Sequence, residues 1–303
     1  MQIRGWLPLL GMPLMLLAVQ VIALILVIPM QAAGFVAFED PESVANPLIF
    51  IGMLLVFTLI LLLLMRIGGQ RFIAVFIGFA LFMTFVYIFA ALSLLALGTS
   101  DLAVITTLIG AAGATALLYL YPEWYVIDIL GVLISAGVAS IFGISLAILP
   151  VLVLLVLLAV YDAISVYRTK HMITLAEGVI KTKAPIMVVV PKRADYSFRR
   201  EGLNIADGEE RGAFVMGMGD LIMPSILVIS SHTFVGAPPL LWTLSAPTIG
   251  AMAGSLAGLA VLLFFVNKGN PQAGLPSLNG GAILGFLVGA ALAGSFGWLP
   301  FGM

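Results

Sequence analysis

The sequence predicts an all-α polytopic membrane protein with nine transmembrane helices, its N-terminus in the cytoplasm and its C-terminus outside. Three observations carry that reading. First, 62% of the 303 residues are hydrophobic and only 9% are charged, and the mean hydropathy is +1.22. Soluble domains carry about 25% charged residues, and 13 basic with 14 acidic side chains cannot cover a water-soluble globule of this size. Second, the apolar residues gather into runs of the length that crosses a bilayer, roughly 20 residues. Third, the basic residues sort to one side of the membrane once those runs are laid through it.

The runs lie at roughly 7–29, 48–65, 72–97, 103–120, 126–147, 148–167, 213–235, 243–266 and 279–299, too long and too continuous for membrane β-strands. The stretch from Val126 to Tyr167 is about twice a bilayer span, and Pro150 offers a helix start near its middle, so it is divided in two. The first run has Arg4 in front and Ala32-Ala33-Gly34 behind, as a signal peptide does. Its apolar core exceeds the roughly 7–15 residues of a signal h-region, so it is read as a retained first span.

With nine spans and the N-terminus inside, Arg4, Arg66, Arg71 and Lys268 fall on the cytoplasmic side. The other basic residues, from Arg168 to Arg211, fall in or beside one cytoplasmic loop. Glu39, Asp40, Glu42 and Asp101 lie outside, and changing the count by one span scatters this partition. The chain thus divides into a six-helix part over 1–167, a cytoplasmic loop over 168–212 and a three-helix part over 213–303. Within the loop, Ala184 to Pro191 is a β-branched run between prolines, which favours extended backbone. Two readings stand, a segment lying on the membrane surface and an edge strand offered to an extended peptide.

Ionisable residues within spans are costly and default to functional hypotheses. Asp128 follows Trp124-Tyr125 at a cytoplasmic helix start, where a structural role at the interface is expected. Asp162 and Asp220 differ. They lie on consecutive antiparallel spans, at depths of about 9 and 13 Å from the charges at Arg168 and Arg211 if the chain between is helical. Two carboxylates at one level can share a proton, because like charges in contact do not both ionise cheaply. One then takes a proton from water while the other donates to a carbonyl, and a bell-shaped pH dependence is expected. Tyr161 places a phenol beside the first carboxylate. Gly217 and Gly219, in Gly217-Met218-Gly219-Asp220, clear space before the second. A third element, Leu275-Pro276-Ser277-Leu278, stands just ahead of the last predicted span; on its own it reads as a helix start.

Tyr161-Asp162, Gly217-x-Gly219-Asp220 and Pro276-x-Leu278, in this order over nine spans with a large loop between the sixth and seventh, resemble the presenilin and signal peptide peptidase family. The resemblance implies an intramembrane aspartyl endopeptidase with Asp162 and Asp220 as catalytic dyad. It assigns active-site support to Tyr161, Gly217 and Gly219, and shaping of the site and engagement of substrate to Pro276, Ser277 and Leu278. Ser277 stands where the family has Ala. The compact loop and the absence of Cys resemble prokaryotic members, which implies a multi-pass protein of the cytoplasmic membrane. The charge pattern puts the loop inside, as in presenilin, and so favours substrate helices with an outside N-terminus. The expected partners are transmembrane helical substrates and the lipid bilayer, with a homo-oligomer possible and no nucleic acid.

Other chemistry finds little support. No H-E-x-x-H stands on a helix and no phosphate-loop motif occurs, so neither a metal nor another cofactor is expected. Cys is absent, which excludes disulfides and thiolate sites. Gly254, Gly258, Gly281, Gly285 and Gly289 form small-residue faces suited to helix packing. Two rivals use the same aspartates: a prepilin-type membrane aspartyl peptidase, and a transporter or cation pathway with a proton relay.

Overall fold

The computed structural model describes residues 7–66, 70–169, 187–193, 195–201, 213–266 and 272–299. Most of the 168–212 loop, with Ala184 to Ile186 and His171, and the charges Arg4, Lys170, Lys181, Lys183, Arg211 and Lys268 lie outside the described residues. Six helices come first: α1 Leu7–Ala32, α2 Ala45–Arg66, α3 Gln70–Leu97, α4 Asp101–Leu120, α5 Trp124–Ser145 and α6 Ile148–Ile164. A π-helical turn, Ser165–Thr169, closes α6. Then follow β1 Met187–Pro191, a short α7 Phe198–Glu201, β2 Ala213–Gly217 and α8 Met218–Phe234. A hairpin of β3 Pro239–Leu241 and β4 Leu244–Ser245 leads to α9 Ala246–Val266 and α10 Gly274–Ala293.

Eight of these helices, α1 to α6 with α9 and α10, are long and apolar enough to cross a membrane. Helix α8, at 17 residues with Pro224 inside it, is shorter, and the packing supplies the reason. It is surrounded by α1, α5, α6, α9 and α10, and the run from Pro224 to Ser231 is wholly buried. A helix enclosed by protein needs no apolar surface for lipid, so it tolerates serines that bond within the bundle. Ser230 donates to the Leu146 carbonyl at 2.7 Å, and Ser231 reaches Thr248 Oγ1 at 3.1 Å. By contrast α2, α3 and α4 turn many large apolar side chains outward, as lipid-facing helices do.

Helix α1 is built into the core, with Leu16, Val19, Ala23 and Met30 fully buried, and it packs on α5 and α8. The divided run separates at Ala147, the cap of α6, with Pro150 in the first turn. The glycine faces hold α9 against α10: a Cβ at Gly254 or Gly258 would strike the carbonyl oxygen of Gly281 or Ser277, and one at Gly285 that of Gly250. Backbones this close admit no side chain.

Three boundaries differ from the sequence expectation. The run over 213–235 is not one helix, because Ala213–Gly217 pairs antiparallel with Met187–Pro191, Val189 opposite Val215. Pairing satisfies the backbone groups that the two strands turn toward each other, which would otherwise meet apolar surroundings unbonded. Asp220 therefore stands in the first turn of α8, not two turns along a span. The last helix starts at Gly274, so Pro276, Ser277 and Leu278 lie inside its first two turns rather than ahead of it. Proline is tolerated there because first-turn N–H groups have no intrahelical partner. The end of α10 is set by Gly294 at φ 61°, a left-handed position that suits glycine.

Candidate active site

Asp162 occupies the last helical turn of α6, is 6% exposed, and is followed at once by the π-turn. Asp220 opens α8 and lies half-buried. What joins them is the start of α10. The Leu275 N–H donates to Asp162 Oδ2 at 3.1 Å, and the Gly274 N–H is directed at the same carboxylate. On the other side of that turn a Cβ at Gly274 would lie 3.0 Å from Asp220 Oδ2 and 3.1 Å from its Cγ. Both carboxylates thus flank one glycine. Each also stands at a helix N-terminus, Asp220 on its own helix and Asp162 on α10, where free N–H groups favour negative charge.

The turn is held from a second point. Tyr167, in the π-turn, donates its hydroxyl to Gln272 Oε1 at 2.8 Å and accepts the Ala273 N–H at 3.3 Å. The π-turn that follows Asp162 and the residues just before Gly274 are therefore tied together. Neither Tyr167 nor Gly274 carried a motif signal in the sequence; a glycine directly before Leu275-Pro276 was the only hint.

The remaining motif residues are distributed as follows. A Cβ at Gly217 would meet Asp220 Oδ2 at 3.8 Å, ordinary contact, and one at Gly219 would meet nothing within 4 Å. Tyr161 is half-buried beside Asp162 in sequence. Pro276 and Ser277 are half-buried, with the Ser277 carbonyl set against Gly258. Leu278 is fully buried in the core. Asp128 makes a structural contact: it is 5% exposed and accepts the Val189 N–H of β1 at 2.7 Å through Oδ1. Its Oδ2 is buried with no hydrogen-bond partner among the described residues. One turn on, a Cβ at Gly131 would lie 2.7 Å from Met218 Cε, so α5 carries both β1 and the first residue of α8.

A cleft of about 260 Å³ reaches Asp220 and Gly274. Residues of β2 form one wall, and apolar residues of α9, Leu259, Leu262, Leu263 and Val266, form the other. Beyond β1 in the chain, Ser197 donates to Glu123 Oε1 at 2.8 Å and the Arg199 guanidinium lies over the Tyr121 ring, which ties α7 to the α4–α5 turn. There the Tyr196 phenol is pushed up to about 12, by burial first and then by the charges of Glu201 and Glu123. Among the described residues no group of three or more His, Cys, Asp or Glu side chains is placed to hold a metal ion.

Comparison with protein families matches residues 12–295 to the model described as signal-peptide peptidase, presenilin aspartyl protease. Two solved structures of a presenilin family intramembrane aspartate protease are similar over nearly the whole chain. One, in space group C222, has 70% identity and a TM-score of 0.72, covering 95% of this chain and 100% of that one. The other, in space group P2, has 71% identity and a TM-score of 0.72, covering 96% and 100%. No curated protein matches the chain.

Proposed function

The chain belongs to the signal-peptide peptidase and presenilin aspartyl protease family, and from that premise we propose that Asp162 and Asp220 are the catalytic dyad with which it hydrolyses peptide bonds in transmembrane helices. The enzyme is an intramembrane aspartic endopeptidase; its family decides against a proton-coupled transporter or a prepilin-type peptidase built on the same aspartates. The observation that carries the dyad is the shared turn. Asp162 accepts the Leu275 N–H, and Asp220 abuts Gly274, so two carboxylates from distant segments flank one turn, and Asp220 with Gly274 lines a cleft.

The chemistry follows from two carboxyls holding one proton. The ionised member takes a proton from water as the oxygen attacks the scissile carbonyl carbon, and the protonated member gives its proton to the carbonyl oxygen. In the collapse of the tetrahedral intermediate the protonated carboxyl gives its proton to the leaving nitrogen while the ionised one takes a proton from a hydroxyl of the intermediate. The C–N bond breaks, a carboxylic acid and an amine are released, and the dyad again holds one proton. Activity falls in acid when both are protonated and in base when neither is.

A helical substrate has its carbonyls bonded internally, so it must be opened locally before attack. The free edge of β2 is suited to hold the opened strand. Because the Val189 N–H turns outward to Asp128, Val189 and Val215 form a non-hydrogen-bonded pair, which leaves the Val215 N–H and C=O pointing away from β1. Pro276, Ser277 and Leu278 support the site in this reading by starting α10 and so presenting Gly274 and Leu275 to the dyad. Tyr161, Gly217 and Gly219 line the approach to the carboxylates.

The protein is multi-pass, and we take α8 as a ninth, enclosed span. The N-terminus and the 168–212 loop then lie in the cytoplasm and the C-terminus outside, with substrates entering from a cell membrane with their own N-termini outside. Asp162→Asn and Asp220→Asn test the dyad: each is expected to abolish cleavage of a model single-span substrate by the purified protein while membrane insertion is unchanged. Full activity in either variant refutes it.

A further inference from the structure

Among the described residues that line the cleft, two are charged: Asp220 at one end and Lys192 at the other. Lys192 directly follows β1 and is half-buried. Its ammonium stands 4.6 Å from the centre of the Phe214 ring. That contact joins diagonal neighbours on one face of the sheet, since Phe214 pairs with Val190. The ring faces the cation and limits where it points without neutralising it. The adjacent Arg193 is paired with Glu201, whereas Lys192 has no such carboxylate partner among the described residues.

The sheet register sets the spacing of the two charges. Lys192 lies just past the Pro191–Ala213 pair, and Asp220 lies just past Gly217 at the opposite end of β2. Ala213 to Gly217 spans about 14 Å at roughly 3.4 Å per residue. A substrate strand laid along β2 with its scissile bond at Asp220 therefore brings a residue about four positions away level with Lys192. The Ala213 end is the end of β2 away from α8, so for a substrate with its N-terminus outside, in the topology proposed above, that residue lies on the C-terminal side of the scissile bond.

We propose that Lys192 is a specificity-determining residue that takes the carboxylate of an acidic substrate side chain about four residues C-terminal to the scissile bond. The proposal rests on the reading of β2 as the pairing edge. A carboxylate entering a cleft walled by Leu259, Leu262 and Val266 is costly unless it finds a partner. The attraction to Lys192 is stronger there than at an open surface because the effective dielectric is lower. A lysine or arginine at the same substrate position meets like charge and is disfavoured.

The test uses full-length enzyme in lipid bicelles and single-span substrates in which Glu, Gln or Lys is moved along the residues C-terminal to the scissile bond. At the level of Lys192 the wild type is expected to prefer Glu over Gln and Gln over Lys, by about three- to tenfold in kcat/KM and mainly through KM. Lys192→Glu is expected to invert the order and Lys192→Gln to level it, with folding of each checked by thermal unfolding. A wild-type order in either variant overturns the assignment, as does a Glu preference of equal size at every position. N-methylation of the substrate amide facing Val215 separates the premise from the proposal. If it leaves cleavage unchanged, the pairing edge fails; if it slows cleavage while the charge series is flat, Lys192 alone fails.

Discussion

The Leu275 N–H donates to Asp162 Oδ2 at 3.1 Å, across 113 residues of sequence. The same carboxylate that we assign to the dyad thus also satisfies a free N–H in the first turn of α10, and α10 has no side-chain cap of its own at Ala273. Fold and chemistry share one group.

That sharing predicts a separation between two substitutions. Asp162→Asn keeps an acceptor for the Leu275 N–H, whereas Asp162→Ala leaves it unpaired, so Ala is expected to be less stable than Asn by about 1 kcal/mol. Both are expected to be inactive. Thermal unfolding of the two proteins measures the difference; equal stability removes the capping role.

Gly274→Ala places a Cβ 3.0 Å from Asp220 Oδ2, where the carboxylate must turn aside or the turn must shift. Helix propensity favours Ala over Gly by about 1 kcal/mol, which offsets part of a packing strain of about 1–3 kcal/mol. Stability is expected to change little while kcat falls at least tenfold (about 1.4 kcal/mol in barrier). Cleavage assays beside thermal unfolding read both quantities, and unimpaired kcat in a folded variant contradicts the contact.

Asp128 holds β1 through the Val189 N–H at 2.7 Å. Asp128→Ala leaves that buried N–H without a partner, at a cost of about 1–3 kcal/mol. Asp128→Asn retains the acceptor and is expected to stay close to wild type, the more so because Oδ2 makes no hydrogen bond among the described residues. Hydrogen exchange at the Val189 amide reports the effect directly: faster exchange in Ala and not in Asn.

Tyr196 supplies a pH dependence outside the membrane. Its phenol is pushed from 10.0 up to about 12 in the folded protein, so the folded state holds the proton more tightly than the unfolded one. Its contribution is fully present below pH 10 and is lost as pH rises through about 12. The stability difference between wild type and Tyr196→Phe is therefore expected to shift against wild type between those values. A difference independent of pH in that range contradicts the burial of the phenol.

Much of this was legible in the sequence because it is local. Twenty-residue apolar runs report spans, Pro150 marks the start of α6, and the glycine spacing on α9 and α10 reports a close helix contact. The two aspartates stand out because a charge inside a span is rare. The helical reading of 213–217 failed for the complementary reason. An apolar stretch of five residues has no periodicity that tells strand from helix, and its partner Met187–Pro191 lies beyond the intervening loop.

By itself, then, the sequence determined the membrane class, the order of the helices and the identity of the dyad candidates, since hydropathy and charge scarcity are properties of contiguous chain. Only the tertiary structure decided what those carboxylates touch. The Gly274–Leu275 turn between them, the burial of Asp128 under β1 and the placing of Lys192 at the far end of the cleft are contacts between segments far apart in the chain, where close packing and backbone hydrogen bonding outweigh any local preference.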